Sequence, residues 1–442
     1  RASAAVEQKK ARPASTEKLD LAPPRGTRDV YPEDMRVRNW LFGKWRSTAK
    51  AFGFEEYDAP VLENEALYVR KAGEEVTEQL YCFEDKGGRR VALRPEMTPS
   101  LARMVMARAA ALPAPIKWYS LPQCWRYERM TRGRRREHFQ WNVDIIGESS
   151  VAADAEVLAI AIDGLRELGL TDKDFAARVS DRRLLTALLL GIGVREENLG
   201  ATFGVIDKIE RLPAEKAEQL LVEEAGLENT EIEALKSLLS STRIDDVTRE
   251  FGDDSRVAEE LHRFRQYTDM LESMGLGDFV ELDLRIVRGL AYYTGIVFEL
   301  FDRKGDLRAI CGGGRYDRLL ELVGGDPQPA VGFGMGDVVL GELLKEMNLV
   351  PEYERSLDYF LVAVSGEEYP AALRLAHQLR DQGHSVAYGL RQQGVAKQMK
   401  AASREGANTV LIIGPDELAN GTVLVRDMTS GEQREVQRQE FE

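Results

Sequence analysis

The chain of 442 residues has room for about three domains of roughly 150 residues each, and its 43% hydrophobic and 30% charged content excludes disordered, collagen-like and coiled-coil classes. Its formal net charge of −14 argues against a protein that works mainly by non-specific nucleic-acid binding, although a local basic patch can still face phosphates. Three distant cysteines (Cys82, Cys124, Cys311) and four scattered histidines predict neither a disulfide framework nor a metal site built from side chains, and point to a reducing compartment.

Residues 1–24 are rich in Ala, Ser, Lys and Arg, carry no apolar h-region and end in Pro23-Pro24. They read equally as the remnant of an organelle transit peptide or as a disordered tail. From Asp34 the spacing of Met35, Val37, Leu41 and Trp45 predicts a helix up to Phe52, ended by Gly53. An extended stretch, Glu55–Val61, follows. Residues 90–94 predict a strand, and Thr98-Pro99 a helix start with Thr98 as N-cap. Residues 116–128 and 138–147 read as the two strands of a long antiparallel hairpin. Residues 154–169 look helical, and 176–278 form a mostly helical, charged insertion. Strands are expected at 280–287, 292–301 and 307–312. A short helix Tyr316–Leu322, a buried strand Ala330–Met335 and a helix from Gly336 come next. Residues 357–442 alternate strands and amphipathic helices, the pattern of a small α/β domain with a mainly parallel sheet. No apolar run approaches the ~20 residues of a membrane span, so no membrane partner is expected.

Chemistry concentrates in a few stretches. Strand alternation over 138–147 sends Phe139, Trp141, Val143 and Ile145 to one face and Gln140, Asn142 and Asp144 to the other. That is either the floor of a polar pocket or a solvated sheet face. The adjoining loop holds Arg126, Arg129, Arg132, Arg134, Arg135 and Arg136, whose guanidinium forks suit phosphate oxygens. Glu96 lies just outside a helix start, where packing does not call for it. Arg288 stands between strands beside two tyrosines in RGLAYYTG, and CGGGRYD at 311–317 reads as a phosphate cradle.

In this order the stretches resemble the histidyl-tRNA synthetases, a family of class II aminoacyl-tRNA synthetases, of organellar type. The resemblance runs from about Ala22 to the C-terminus. It is carried by the helix and strand ending in Pro60, by WRYERMTRGRRREHFQ at 125–140, by VGFGMGD at 331–337, and by the histidine stretches RGLAYYTG and CGGGRYDRL. It implies an α+β catalytic domain (25–175 and 279–350) whose antiparallel sheet is flanked by helices, a helical insertion (176–278) and an α/β anticodon-binding domain (357–442). The implied reaction joins histidine and ATP into histidyl-adenylate, then transfers histidine to the 3′ end of tRNA(His), with Mg2+ as cofactor. The implied partners are L-histidine, ATP, tRNA(His) and a second copy of the chain, paired through residues 34–61.

The resemblance gives Arg126 and Arg288 the α-phosphate, as catalytic and ATP-binding residues, and places Glu128 near the adenine. Glu96, Thr98 and Gln140 would hold the amino and carboxylate groups of histidine; Asp144, Tyr293 and Tyr316 would read its imidazole. Arg129, Thr131 and Arg132 would meet the tRNA acceptor end. Two positions depart from the family pattern. Ala291 replaces the common Asp, and Val339 stands where the third motif usually has an ATP-binding arginine. A catalytically impaired, synthetase-like regulatory protein is therefore the alternative reading. The N-terminal composition and the GFGMGD form of the third motif resemble those of plastid and mitochondrial synthetases; a cytoplasmic enzyme is the other compartment reading.

Overall fold

In a computed structural model, the structure describes residues 20–69, 78–131, 133–288, 293–305 and 307–441. Most of the segment 1–24, together with Arg132 and Ala291, lies outside them. The chain divides into two compact units, 1–350 and 351–442.

In chain order the strands of the first unit are β1 (Glu55–Glu56), β2 (Leu62–Asn64), β3 (Tyr81–Glu84), β4 (Arg90–Leu93), β5 (Ile116–Ser120) and β6 (Gln123–Trp125). They continue with β7 (Glu137–Ile146), β8 (Phe175–Asp181), β9 (Val280–Leu282), β10 (Ile296–Asp302), β11 (Cys311–Arg315) and β12 (Ala330–Gly336). The central sheet runs β1-β5-β7-β12-β11-β10-β8-β9, with β6 on the start of β7. Its interior pairs are antiparallel, and only the edge pairs β1–β5 and β8–β9 are parallel. Strands β2, β4 and β3 form a separate small sheet.

One face of the central sheet carries the core. Trp141, Val143 and Ile145 of β7 are buried there, and Trp45 from the Pro32–Ala51 helix stacks on Trp141 with centroids 5.7 Å apart. The Val151–Arg166 helix is buried along most of its length against the same face. Its N-terminal turn is locked by Arg315 of β11, whose guanidinium lies 2.7 Å from Asp154, both side chains being 5% exposed or less. Arg315 also donates to the carbonyls of Glu148 and Ser150. Removing one member of such a buried pair leaves the other charge unsatisfied. Arg315→Ala is therefore expected to lower stability by about 3–5 kcal/mol, read by denaturant unfolding.

Several sequence expectations need correction. The expected strand 116–128 is broken at Leu121-Pro122, because Pro122 has no N–H for the ladder; its carbonyl instead accepts from Gln140 N at 3.1 Å. Thr98 is the first helical residue rather than the N-cap: Met97 holds that position, and no side chain caps the helix. The insertion begins its helices at Arg182, since 175–181 is sheet strand β8. The strand expected at 307–312 is shifted to 311–315, so the glycine run is in the sheet and not a phosphate-cradling turn.

The second unit has strands β13 (Leu357–Ala363), β14 (Val386–Tyr388), β15 (Ala407–Ile413), β16 (Thr422–Asp427) and β17 (Gln433–Gln437), ordered β14-β13-β15-β16-β17. The first three are parallel, but β16 and β17 add antiparallel, against the expectation of a mainly parallel sheet. The connection 414–421 is too short for the crossover of a dozen or more residues that a parallel partner needs.

Candidate active site

The face of the sheet opposite the core holds a cavity of about 250 Å³ lined by Glu96, Thr98, Arg126, Gln140, Asn142, Asp144, Arg288, Tyr293 and Tyr316, with Gly312, Gly332, Phe333 and Gly334 as its floor. Strand alternation on β7 explains the division. The residues between those buried in the core point the other way, into the cavity.

The floor is made of glycines because the side chains above it leave no space for a Cβ. A Cβ on Gly312 would lie 1.1 Å from Arg288 Nη1, and one on Gly332 would lie 2.2 Å from Asp144 Oδ1 and 2.4 Å from the Tyr316 hydroxyl. Gly334 is similarly overlain by Gln140. The glycine spacing of β11 and β12 therefore records where the site residues sit.

At one end of the cavity Asp144, 4% exposed, accepts a hydrogen bond from the Tyr316 hydroxyl. Burial holds its carboxyl well above the usual carboxylate range. Tyr293 stands edge-on to Tyr316 at 6.2 Å. Asn142 Oδ1 is buried without a partner among the described residues. At the other end Arg126 Nε donates to the Pro95 carbonyl at 3.0 Å, which fixes the guanidinium beside Glu96. Burial raises the Glu96 carboxyl, and the charge of Arg126 opposes that shift.

Arg288 has φ +44°, a left-handed backbone that non-glycine residues seldom adopt and that is found mainly where a side chain must be aimed. Its Nη1 lies 3.2 Å from Glu299 Oε1, and its Cζ is 5.8 Å from the Tyr293 ring centroid. Its carbonyl accepts from Arg182 at 3.4 Å.

The structure thus gathers eight expected residues in one cavity. It places Glu128, Arg129 and Thr131 elsewhere, and Arg132 lies outside the described residues. Glu128 pairs with Arg134 at 3.1 Å, outside the cavity lining. Arg129 and Thr131 are exposed on the basic loop. Val339 lies against the tip of that loop, where a Cβ on Gly133 would meet it at 3.2 Å. Glu137 pairs with Arg28 at 2.7 Å, and Arg28 also reaches Asp337 at 3.0 Å.

A second cavity of about 840 Å³ shares Arg126 and Arg288 with the first and adds Arg134, Asp207, Glu210, Arg211, Arg285, Glu299 and Arg308. Sequence reasoning missed Glu299 and Arg308. The first had a signal: in IVFELFD, Ile296, Phe298 and Leu300 alternate into the core, which leaves Glu299 on the cavity face. Arg308 is a lone cation in an irregular segment, and no periodicity marks it.

Comparison with known proteins supplies the family. Residues 26–336 match the family model of histidyl-tRNA synthetase, and residues 358–442 that of an anticodon-binding domain. The chain belongs to the histidyl-tRNA synthetase family. It is 47% identical over 425 residues to the chloroplastic/mitochondrial histidine–tRNA ligase of Arabidopsis thaliana, covering 96% of this chain and 87% of that one. It is 44% identical to the histidine–tRNA ligase of Opitutus terrae, over 94% of this chain and 96% of the relative. The crystal structure of histidyl-tRNA synthetase from Nostoc sp. shares the fold with TM-score 0.79 at 23% identity, covering 96% of this chain and 99% of that one.

Proposed function

We propose that the chain is a histidine–tRNA ligase: it activates histidine with ATP and esterifies the 3′ end of tRNA(His). The observation that carries this reading is one cavity with an imidazole-sized polar end, Asp144, Tyr293 and Tyr316, and a cationic end, Arg126 and Arg288. Imidazole offers two distinct nitrogens, so a carboxylate and a phenol select it because an isostere with another donor–acceptor pattern fails to satisfy them. Glu96, beside Arg126, together with Thr98 and Gln140 in the same lining would hold the ammonium and carboxylate of histidine.

In the first step a carboxylate oxygen of histidine attacks the α-phosphorus of ATP, the bond to the bridging oxygen breaks, and pyrophosphate departs. Arg126 and Arg288 hold the α-phosphoryl oxygens and offset charge as the in-line transition state forms. Glu128, beside the basic loop, meets the adenine. Mg2+ takes hard oxygen donors together with substrate phosphates; Asp207 and Glu299 of the second cavity offer such donors and would hold it, and the ion would neutralise charge on the outer phosphates. In the second step the ribose hydroxyl of the terminal adenosine attacks the acyl carbon and AMP leaves. The exposed Arg129 and Thr131 contact the acceptor end in this proposal, a role the resemblance also gives Arg132, and residues 357–442 bind the anticodon stem. The completeness of the pocket favours this reading over a regulatory protein, which has no reason to keep eight site residues in one cavity.

The test is histidine-dependent ATP–pyrophosphate exchange, followed by charging of tRNA(His) transcript. A folded preparation that exchanges no pyrophosphate with Mg2+ present rules the ligase out. Residues 34–61 form the two-fold interface of a homodimer in this proposal, so light scattering at micromolar concentration should return twice the chain mass. Residence in a plastid or mitochondrion is proposed on the name of the Arabidopsis relative, and a full-length fluorescent fusion that stays in the cytosol would reject it.

A further inference from the structure

Val339 puts no cation where the resemblance sets the ATP-binding arginine of the third motif. The basic loop does not offer an uncommitted replacement among its described residues that line a cavity with Arg126 and Arg288. Arg134 is paired with Glu128 at 3.1 Å, Arg136 lies over the Tyr127 ring at 4.0 Å, and Arg135 lines a different cavity beside Arg28 and Arg38.

Arg126 and Arg288 stand at the junction of the histidine-sized cavity and the larger one. An α-phosphate held by both must send its outer phosphates into the larger space. Six arginines and three carboxylates line that space, an excess of positive charge suited to a polyphosphate. Most of these cations are already engaged. Arg285 pairs with Glu210 at 2.9 Å and Asp283 at 2.8 Å, and Arg288 with Glu299. Arg308 and Arg211 are different: among the described residues neither side chain has a hydrogen bond or an ion pair, and Glu128, the carboxylate that acts on Arg308, is taken by Arg134. Desolvation, and after it the like charges of Arg134 and Arg211, lower the pKa of Arg308, and an anion would relieve the repulsion between those charges. Its segment is anchored just downstream, where Ile310 N donates to Leu300 O at 2.7 Å, so the cation is carried by the central sheet rather than by the insertion helices.

We propose that Arg308 holds the outer phosphates of ATP in this chain, taking over the charge that Val339 lacks; the inference rests on the ATP reading of the junction given above. A bidentate guanidinium–phosphate contact is charge-assisted and strong.

The experiment is pyrophosphate exchange with the full chain, varying ATP and histidine separately. Arg308→Ala should raise the KM for ATP tenfold or more while the KM for histidine stays within about twofold, and Arg308→Lys should recover part of the loss. Calorimetric binding of a non-reactive histidyl-adenylate analogue, which has no outer phosphates, should be the same for Arg308→Ala and wild type. An unchanged KM for ATP, or the same effect from Arg211→Ala with none from Arg308→Ala, overturns the inference. So does equal weakening of the adenylate analogue, which would mark a structural role. Wild-type exchange is measured first: its absence defeats the ATP reading itself, whereas its presence with an unaffected Arg308→Ala defeats this inference alone.

Discussion

Asp144→Ala is expected to reduce kcat/KM for histidine by about 10⁴-fold in pyrophosphate exchange, with the ATP dependence little altered. A site built to hydrogen-bond its substrate discriminates by factors of about 10⁴–10⁵ because its buried polar groups are left unpaired when the match fails. Asp144 meets that condition: it is 4% exposed, it is held by the Tyr316 hydroxyl, and Gly332 beneath it leaves the space it fills. The fold should survive the change. Burial raises the Asp144 carboxyl, so its contribution to stability is greatest at low pH and is lost as pH rises through the raised value. Because burial disfavours the ionised carboxyl, its removal should leave the melting temperature little changed. Asp144→Asn keeps the shape and separates charge from size. Normal histidine activation by either variant would remove Asp144 from the substrate pocket.

Arg288→Ala should lower kcat for adenylate formation by about 10²–10³-fold, the range found when one preorganised donor to a developing charge is removed. The KM for histidine should move far less, because the imidazole end of the cavity is untouched. Arg288→Lys should recover little, since an ammonium cannot reproduce the fork that Gly312 accommodates. The backbone adds a second readout. At φ +44° glycine is less strained than arginine or alanine, so Arg288→Gly should be at least as stable as Arg288→Ala and equally inactive. Single-turnover kinetics would check this; a pure KM effect would reassign Arg288 to ground-state binding.

The polar side of the site was legible because β7 is regular. Period-two alternation fixes which of Gln140, Trp141, Asn142, Val143 and Asp144 share a face, and the core identifies the buried face by its size and apolarity. The resemblance supplied roles for residues that alternation only placed. What misled was local chemistry read without neighbours. Thr98 before Pro99 has the pattern of an N-cap, and three glycines have the pattern of a turn. Both assignments failed because a nearby element claims the position: Met97 occupies the cap, and β10 and β12 pair with the glycine run from either side.

By itself, then, the sequence determined the family, the C-terminal anticodon-binding domain and the polar face of β7, since these depend on periodicity and on motifs of contiguous residues. Only the tertiary structure decided that Gly312, Gly332 and Gly334 are clearances for side chains above them. Only it joined Arg315 to Asp154 across 161 positions, and made Glu299 and Arg308 neighbours of Arg288. The physical reason is the same in each case. A close approach, a buried ion pair and a cluster of cations are properties of distances between strands and loops far apart in sequence, and no local pattern encodes those distances.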